Sequence, residues 1–250
     1  MPASEPAVSV IVVADGPWDE TFRCLLALTT GAAGVPHEVI VVDDATADET
    51  QLALPRLEGV RSVRTDTRRG VIAGANAGAS IATGRHLAFL HSDAVPSPGW
   101  LAALVRAADA DPAVAVVGSR LVTEDGALES DGLALAPAGG HALAPHARGA
   151  GGPAIPSAEV AAVEAVSGAA LLVPRATFER LGGFDPAFRE ACEDVDLCLR
   201  ARAAGGRVVV AKESVAVHVG RCGRSADEVA ADLGELARRW AGASSRTAAV

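Results

Sequence analysis

Runs of aliphatic and β-branched residues alternate, along the first half of the chain, with segments whose apolar residues recur every three or four positions. Strands are predicted at 7–15, 39–42, 60–64, 87–90 and 113–122. The first of these, AVSVIVVAD, is a continuous apolar run typical of a strand buried on both faces. Repeated strand–helix units predict an α/β fold with a doubly wound, mostly parallel sheet and helices on both faces.

Three helices are predicted between these strands. The first covers about 19–30, with an apolar stripe formed by Phe22, Leu25, Leu26 and Thr29. The second is the small-residue segment GVIAGANAGASIATG, 70–84. The third is opened by Pro96 and Pro98, and its predicted apolar face carries Trp100, Leu101, Leu104 and Val105.

The second half of the chain differs from the first in its amino-acid composition. Residues 137–157 are rich in Gly, Ala and Pro and are predicted to form a mobile loop, a lid or an acceptor-facing insertion. The tail begins with a capping box, Ser225 to Glu228, ahead of a helix. Its apolar positions are predicted to pack on the body of the protein, with a dimer contact as the alternative; they are Val229, Leu233, Leu236 and Trp240.

Composition narrows the classes of protein. The net charge of −9 argues against a general nucleic-acid binder, which needs a basic face. No apolar run reaches the roughly 18 residues that cross a bilayer, and the N-terminus lacks the pattern of a signal peptide. We therefore expect a cytoplasmic protein. The four cysteines, Cys24, Cys192, Cys198 and Cys222, contain no CxxC pair and are expected to be reduced structural thiols.

Acidic residues cluster where predicted strands end. Asp43 and Asp44 follow one strand, and the triplet His91-Ser92-Asp93 follows another. In open α/β sheets, ligands bind outside the carboxyl ends of the strands, so this placement indicates a binding site. The alternative for Asp43-Asp44 is an Asx-turn or helix cap that involves Thr46.

A second acidic run, EACEDVDLCLRARAAGG, begins at Glu190 and leads into a predicted helix. Acids at this position stabilise the positive end of a helix, and one of them is alternatively a catalytic base. Asp196 lies four residues before Arg200, so an ion pair within the helix explains it best. Glu190 and Asp185 are interpreted as structural residues.

The order of these segments resembles family 2 glycosyltransferases. The resemblance rests on VSVIVV, VVDDAT, RRGVIAGANAG, FLHSDAVPSPGWL, GGFDPAFREACEDVDLCLRARAAGGRVV and a late histidine, and it covers about Val8 to His218. It implies the GT-A fold, a nucleotide-sugar donor and inversion at the anomeric carbon. It also implies one domain over 1–224, with a nucleotide-binding half at about 7–125 and an acceptor half at about 126–224, followed by a C-terminal helix and tail at 225–250.

The resemblance implies a nucleotide site along the strand ends. Asp44 is expected to contact the base, and Arg68 with the glycines of RRGVIAGANAG is expected near the nucleotide. A pure packing role for the glycines and a solvated charge for Arg69 are the alternatives. The full set expected to bind nucleotide is Val13, Ala14, Asp15, Asp43, Asp44, Arg69, Gly70, Asn76 and Ser92.

The same resemblance implies a divalent cation, Mn²⁺ or Mg²⁺, beside the diphosphate. Asp93 is the expected ligand, because hard divalent cations prefer carboxylate oxygen. His91 stands where the family has an acid or an amide, and an imidazole suits Mn²⁺ better than Mg²⁺. His218 is a third ligand or else a buried structural histidine, and Arg221 and Arg224 follow it as candidate partners of phosphate. The other histidines, His37, His86, His141 and His146, are interpreted as surface or loop residues.

The acidic pair before the helix matches the family's general base. Asp194 is expected to take the proton of the acceptor hydroxyl, and Glu193 is expected to orient the acceptor. Trp100 is expected to border the acceptor, with a place in the core as the alternative.

We therefore expect hexosyl or deoxyhexosyl transfer to a glycan or lipid-linked acceptor in bacterial envelope polysaccharide assembly, in the cytoplasm or at the inner face of the membrane. Peripheral membrane association and a homodimer are left open. The alternatives are a degenerate domain that binds nucleotide or glycan without turnover, and a sugar-nucleotide pyrophosphorylase. The latter needs a Gly-rich basic loop after the first strand, where this chain has ADGPWDE.

Overall fold

The fold is an α/β sandwich, described by a computed structural model for residues 6–138, 141–220 and 225–241. Its strands are β1 (Val8–Ala14), β2 (His37–Asp43), β3 (Val60–Arg64), β4 (His86–His91), β5 (Ala94–Pro96), β6 (Val114–Val122), β7 (Leu128–Ser130), β8 (Leu133–Ala138), β9 (His141–Ala147), β10 (Val160–Ala162), β11 (Ala170–Pro174) and β12 (Arg207–His218). Its helices are α1 (Trp18–Gly31), α2 (Thr50–Ala53), α3 (Val71–Ile81), α4 (Trp100–Asp109), α5 (Arg175–Leu181), α6 (Glu193–Ala203) and α7 (Ala226–Trp240).

One large sheet forms the centre, in the order β10-β12-β6-β11-β4-β1-β2-β3. The strands from β4 to β3 are parallel to one another, as are β6 and β12. The strand β11 lies antiparallel between β4 and β6. Parallel strands end at a common edge, so the loops after β1, β2 and β4 meet at one rim of the sheet.

Both faces of β1, at the centre of the sheet, are buried, as its continuous apolar run predicts. Side chains alternate between faces along a strand. Val10 and Val12 therefore join the core with α1 and α4, while Ile11 and Val13 join the core with α3, α5, α6 and α7. The predicted α/β class with a mostly parallel sheet and helices on both faces is confirmed.

Glycines bring α3 unusually close to β1. A Cβ placed on Gly74 would lie 2.7 Å from Val13 Cγ1, and one placed on Gly78 would lie 2.6 Å from Ile11 Cγ2. Both distances are well inside van der Waals contact, so only glycine permits this separation of helix and strand.

Two predicted helix details are wrong. Phe22, Leu26 and Thr29 are exposed, and α1 instead buries Thr21, Cys24, Leu25 and Leu28, a stripe rotated by part of a turn. The helix α4 begins at Trp100 after Gly99 in the left-handed conformation, whereas Pro96 belongs to β5. Pro96 is the pairing partner of Ala216 in β12, so sheet contacts override the proline signal.

The Gly-, Ala- and Pro-rich segment is not simply a loop. Residues 141–147 form β9, which pairs antiparallel with β8, with Leu133 opposite Ala147. This hairpin lies beside α7. The role of the segment as a lid or acceptor-facing insertion stays a prediction.

The C-terminal helix packs on the body as predicted. Leu236 is fully buried, and Val229, Leu233 and Trp240 lie against the core that α3, α5 and α6 share. The Ser225 side chain accepts a hydrogen bond from the Glu228 N–H at 3.4 Å, which forms one half of the predicted capping box.

Cys24, Cys192 and Cys198 are buried, and within the described ranges no disulfide joins them. Cys222, Arg221 and Arg224 lie outside the described residues. His86 is buried, not on the surface as predicted, because it begins the central strand β4. Within the described part of the chain, no helix has the length and apolar character needed to cross a membrane.

Candidate active site

A cavity of about 290 Å³ opens at the rim where β1 and β4 end. Its walls come from the loops after these two strands, the start of α3, the segment 184–190 and the start of α6. Of the site residues predicted from the sequence, those that line the cavity are Val13, Asp15, Arg68, Gly70, His91, Ser92, Asp93 and Glu193. The fold therefore gathers about half of the predicted site residues around one cavity.

Three potential metal ligands meet beside this cavity. His91, Asp93 and His218 each offer one ligand atom, and these atoms lie within 4.8 Å of one another. His218 Nε2 is 3.6 Å from Asp93 Oδ1, and His91 Nδ1 is 3.9 Å from the same oxygen. Two imidazoles and one carboxylate at these distances fit a divalent transition-metal ion. The predicted ligand set is therefore brought together from the end of β4 and the end of β12.

Glu129 forms an outer contact to this cluster that the sequence did not suggest. Its Oε1 lies 2.8 Å from His218 Nδ1, while His218 Nε2 faces Asp93. A carboxylate on the far nitrogen of a ligating histidine fixes the ring orientation and raises its basicity. Glu129 lies on β7, an edge strand paired with β6.

The acidic pair lies in the first turn of α6. Glu193 lines the cavity. The Asp194 carboxylate accepts the N–H of Gly168 at 2.6 Å and that of Val195 at 2.7 Å. Cys192, directly before the helix, has a φ of 69°, a left-handed conformation that is uncommon for a residue with a side chain. Such conformations concentrate at functional sites.

Asp15, directly after β1, forms part of the cavity wall. Its Oδ1 accepts a hydrogen bond from Ser92 Oγ at 3.3 Å, and its backbone carbonyl accepts one from Arg68 Nη2 at 2.8 Å. Burial raises the pKa of Asp15 above its ordinary value, and the Ser92 hydrogen bond and the Arg68 charge offset part of that rise. The three residues form one connected polar wall.

Asp43 and Asp44 lie behind the cavity, not on its wall. Asp44 is fully buried and accepts the N–H groups of Arg69 and Gly70, at 2.9 Å and 2.8 Å, and the hydroxyl of Thr65. Asp43 accepts the N–H and hydroxyl of Thr46, the Asx-turn alternative, and pairs with Arg64. Asp44 therefore shapes the loop that carries Gly70, while Asp43 holds the turn after β2. A direct contact of Asp44 with the base stays a prediction.

Three other expected contacts are corrected by the structure. Trp100 has no exposed surface and donates its indole N–H to Ser119 Oγ at 2.8 Å, so it belongs to the core and cannot border an acceptor. The Asn76 side chain donates from Nδ2 to the Phe184 carbonyl at 2.8 Å and accepts the Phe184 N–H on Oδ1 at 3.0 Å. It therefore stabilises the loop that contains Phe184. Ala14 is buried in the sheet.

Arg69 also differs from expectation. It is exposed, contributes a backbone N–H to Asp44 and does not line the cavity, whereas the neighbouring Arg68 does. The sequence offers no way to decide which of two adjacent arginines points inward.

Further cavity residues were missed or misread. Arg189 and Glu20 line the wall without having been singled out, and Glu190 lines it although it was interpreted as structural. Glu20 follows the end of β1 by less than two helical turns, which was an available signal. The positions of Arg189 and Glu190 depend on the course of an irregular loop, which periodicity does not encode. The predicted ion pair of Asp196 with Arg200 is confirmed at 2.7 Å.

Comparison with known families matches both halves of the chain. Residues 7–134 match the model described as glycosyl transferase family 2, and residues 148–246 match that described as glycosyl transferase family 21. The O-antigen biosynthesis protein RfbC of Myxococcus xanthus is 33% identical over 90% of this chain. The succinoglycan biosynthesis protein ExoO of Rhizobium meliloti is 35% identical over 48% of it.

A solved structure shares the fold. The crystal structure of GalNAc-T7 with UDP, GalNAc and Mn²⁺ superposes with a TM-score of 0.67 and 19% identity, covering 87% of this chain and 44% of that one. The chain spans 18% of the length of RfbC and 35% of that of ExoO, so these relatives are considerably longer than this sequence.

Proposed function

This chain belongs to glycosyl transferase family 2, and from that premise we propose that it moves a sugar from a nucleotide-sugar donor to a glycan or lipid-linked acceptor, with inversion at the anomeric carbon. One observation carries the proposal. His91, Asp93 and Glu193, from distant parts of the chain, line one cavity at the rim of the sheet. A cation site and a candidate base facing the same space are what transfer of a nucleotide-linked sugar requires.

His91, Asp93 and His218 would hold a divalent cation. When bound, such an ion supplies positive charge that offsets the charge of the departing diphosphate. Two imidazoles among the ligands favour Mn²⁺ over Mg²⁺, because Mg²⁺ prefers oxygen ligands. Arg68 and Arg189 add fixed positive charge to the cavity wall, and Asp15 and Ser92 offer acceptors and donors to the nucleoside.

Asp194 is proposed as the general base that takes the acceptor proton, with Glu193 orienting the acceptor. A specific observation favours the reverse assignment as the second candidate. Glu193 lines the cavity, whereas both oxygens of Asp194 accept backbone N–H groups. In the first arrangement, the Gly168 and Val195 N–H groups fix the position of the Asp194 carboxylate that takes the proton. In the second, Asp194 holds the start of α6 and Glu193 takes the proton.

Turnover of the two variants distinguishes these roles. With UDP-, GDP- and dTDP-sugars and Mn²⁺, Asp194→Asn should lower kcat by about 10²- to 10⁴-fold, the usual contribution of a general base, with little change in donor affinity. Glu193→Gln should then act mainly on the KM of the acceptor. The opposite pattern would make Glu193 the base.

Glu179→Gln, which removes an exposed carboxylate from α5, is the matched control and should leave turnover unchanged. Donor binding without release of nucleotide under any acceptor condition would identify a degenerate domain and contradict the proposal. Formation of nucleotide sugar from a sugar phosphate and a nucleoside triphosphate would identify a pyrophosphorylase.

The biological setting is proposed from the relatives. RfbC and ExoO are named for O-antigen and succinoglycan biosynthesis, so we place this chain in assembly of a bacterial envelope polysaccharide, with a hexose or deoxyhexose donor. Nucleotide sugars are cytoplasmic substrates, which favours action in the cytoplasm or at the inner face of the membrane. Transfer to a lipid-linked acceptor in vesicles, compared with a water-soluble glycan, tests this setting.

A further inference from the structure

Asp232, on α7, is buried and faces the loop that leads into α6. Its Oδ2 accepts three successive backbone N–H groups, from Arg189, Glu190 and Ala191, at 3.0, 2.8 and 2.9 Å. A single oxygen can accept three successive amides only when the backbone curves around it. The carboxylate thus defines the shape of the 189–191 loop.

This loop belongs to the cavity. Arg189 and Glu190 line the cavity wall, and the chain continues through the left-handed Cys192 into Glu193 at the start of α6. The placement of three residues that line the cavity therefore depends on the curvature of this short segment.

Other contacts hold α7 itself in place. Arg239 pairs with Asp185 at 2.6 Å and with Asp196 at 3.2 Å, and the Trp240 indole N–H donates to Asp196 at 3.0 Å. The Arg239 guanidinium lies 5.1 Å from the Phe188 ring centroid. The helix α7, which carries Asp232, is therefore fixed by contacts to residues before and after the 189–191 loop.

Hydrogen bonds from N–H groups to a buried carboxylate are strong, and the desolvation of that carboxylate is tolerated only while they are made. Each arrangement of the loop that breaks one of them is disfavoured. We propose that Asp232 is a positioning residue for sugar transfer, which holds the 189–191 loop so that Arg189, Glu190 and Glu193 present their side chains to the donor cavity. The inference rests on the proposed function above.

Asp232→Asn keeps the shape of the side chain and removes its charge. We expect kcat to fall by about 10- to 100-fold, the range typical of residues that orient a site from behind it. We expect the Mn²⁺ affinity to stay unchanged, because His91, Asp93 and His218 come from β4, the turn after it and β12, and not from the 189–191 loop. Hydrogen exchange should show faster exchange at the amides of 189–191 and unchanged protection in β1 and β4. Asp232→Glu, which keeps the charge but moves the oxygens by one methylene, should give an intermediate kcat.

Asp227→Asn is the matched control, since it removes an exposed carboxylate from the same helix and should keep the kcat of the wild type. A folded Asp232→Asn or Asp232→Glu protein with wild-type kcat overturns the inference. So does faster exchange spread over the whole sheet, which marks a purely structural role. A wild-type protein without transferase activity would contradict the proposed function. Hydrogen exchange needs no turnover, so it would still test whether Asp232 holds the 189–191 loop.

Discussion

At the scale of single residues, Glu129 decides which nitrogen of His218 faces the other ligands. With Nδ1 held by the carboxylate at 2.8 Å, Nε2 is left directed at Asp93. We expect Glu129→Ala to weaken Mn²⁺ binding by about 10- to 100-fold, measured by calorimetric titration. Glu213→Ala, which removes an exposed carboxylate from the same strand as His218, should bind Mn²⁺ as the wild type does. Equal affinities in both variants would contradict the role of Glu129.

His86 gives a pH dependence to stability. Burial lowers the pKa of His86 below its ordinary value of 6.5, and the nearby Asp109 offsets only part of this. The unfolded chain therefore takes up the proton first. The contribution of the neutral imidazole is fully present above pH 6.5 and declines as the pH falls through 6.5 towards the folded-state pKa.

Urea denaturation from about pH 8 to about pH 5 measures this effect. The free energy of unfolding should fall more steeply towards low pH in the wild type than in His86→Gln. Parallel curves for the two proteins would show that His86 does not contribute to the slope.

The sequence predicted the chemistry of the site's side chains better than the direction in which each side chain points. The family resemblance implies His91, Asp93 and His218 as ligands, and the structure brings them together. Trp100 and Asn76 were misassigned because a motif does not say which way a side chain points. The packing of Ser119 and Phe184 against them, set by distant parts of the chain, settled that question.

At the scale of elements, the contact of α3 with β1 depends on missing side chains. Replacing Gly78 with alanine gains about 1 kcal/mol of helix propensity. The new Cβ would stand 2.6 Å from Ile11 Cγ2 and 3.3 Å from Val42 Cγ2, and overpacking of this kind costs about 1–3 kcal/mol. We therefore expect Gly78→Ala to be destabilising by about 1 kcal/mol in urea denaturation.

Ser80→Ala, on the exposed side of the same helix, is the matched control and should be neutral or slightly stabilising. A Gly78→Ala protein more stable than the wild type would show that α3 moves away from the sheet at little cost.

Periodicity predicted β1 to β4, β6, α1 and α3 almost to their ends, but it did not predict α2 or β5 and placed the start of α4 too early. It failed for β9, because Ala, Gly and Pro have weak strand propensity and only pairing with β8 makes the segment extended. Periodicity also predicted the wrong buried stripe for α1, because Phe22 and Leu26 are apolar yet exposed.

At the scale of the whole molecule, α7 completes the core. Deleting residues 225–250 would uncover the surface that Val229, Leu233, Leu236 and Trp240 cover, and would remove the Asp232 contacts. We expect a lower thermal midpoint and binding of a hydrophobic dye, measured by calorimetry and fluorescence. Equal midpoints for the truncated and the full chain would contradict a structural role of the helix.

The sheet and the gathering of acidic segments at its rim could be predicted, because strand order and parallel direction place the carboxyl ends together. The arrangement around 189–191 could not, since it depends on a helix more than forty positions later in the chain. Contacts of that separation leave no periodic trace in a sequence.

The long strand β12 has a consequence for how the protein is made. It delivers His218 to residues that left the ribosome more than a hundred positions earlier. During synthesis the early strands can pair first, since domains assemble as their segments emerge. A nascent chain therefore carries His91 and Asp93 before His218 has been made, and the candidate cation site can be completed only after β12 has emerged.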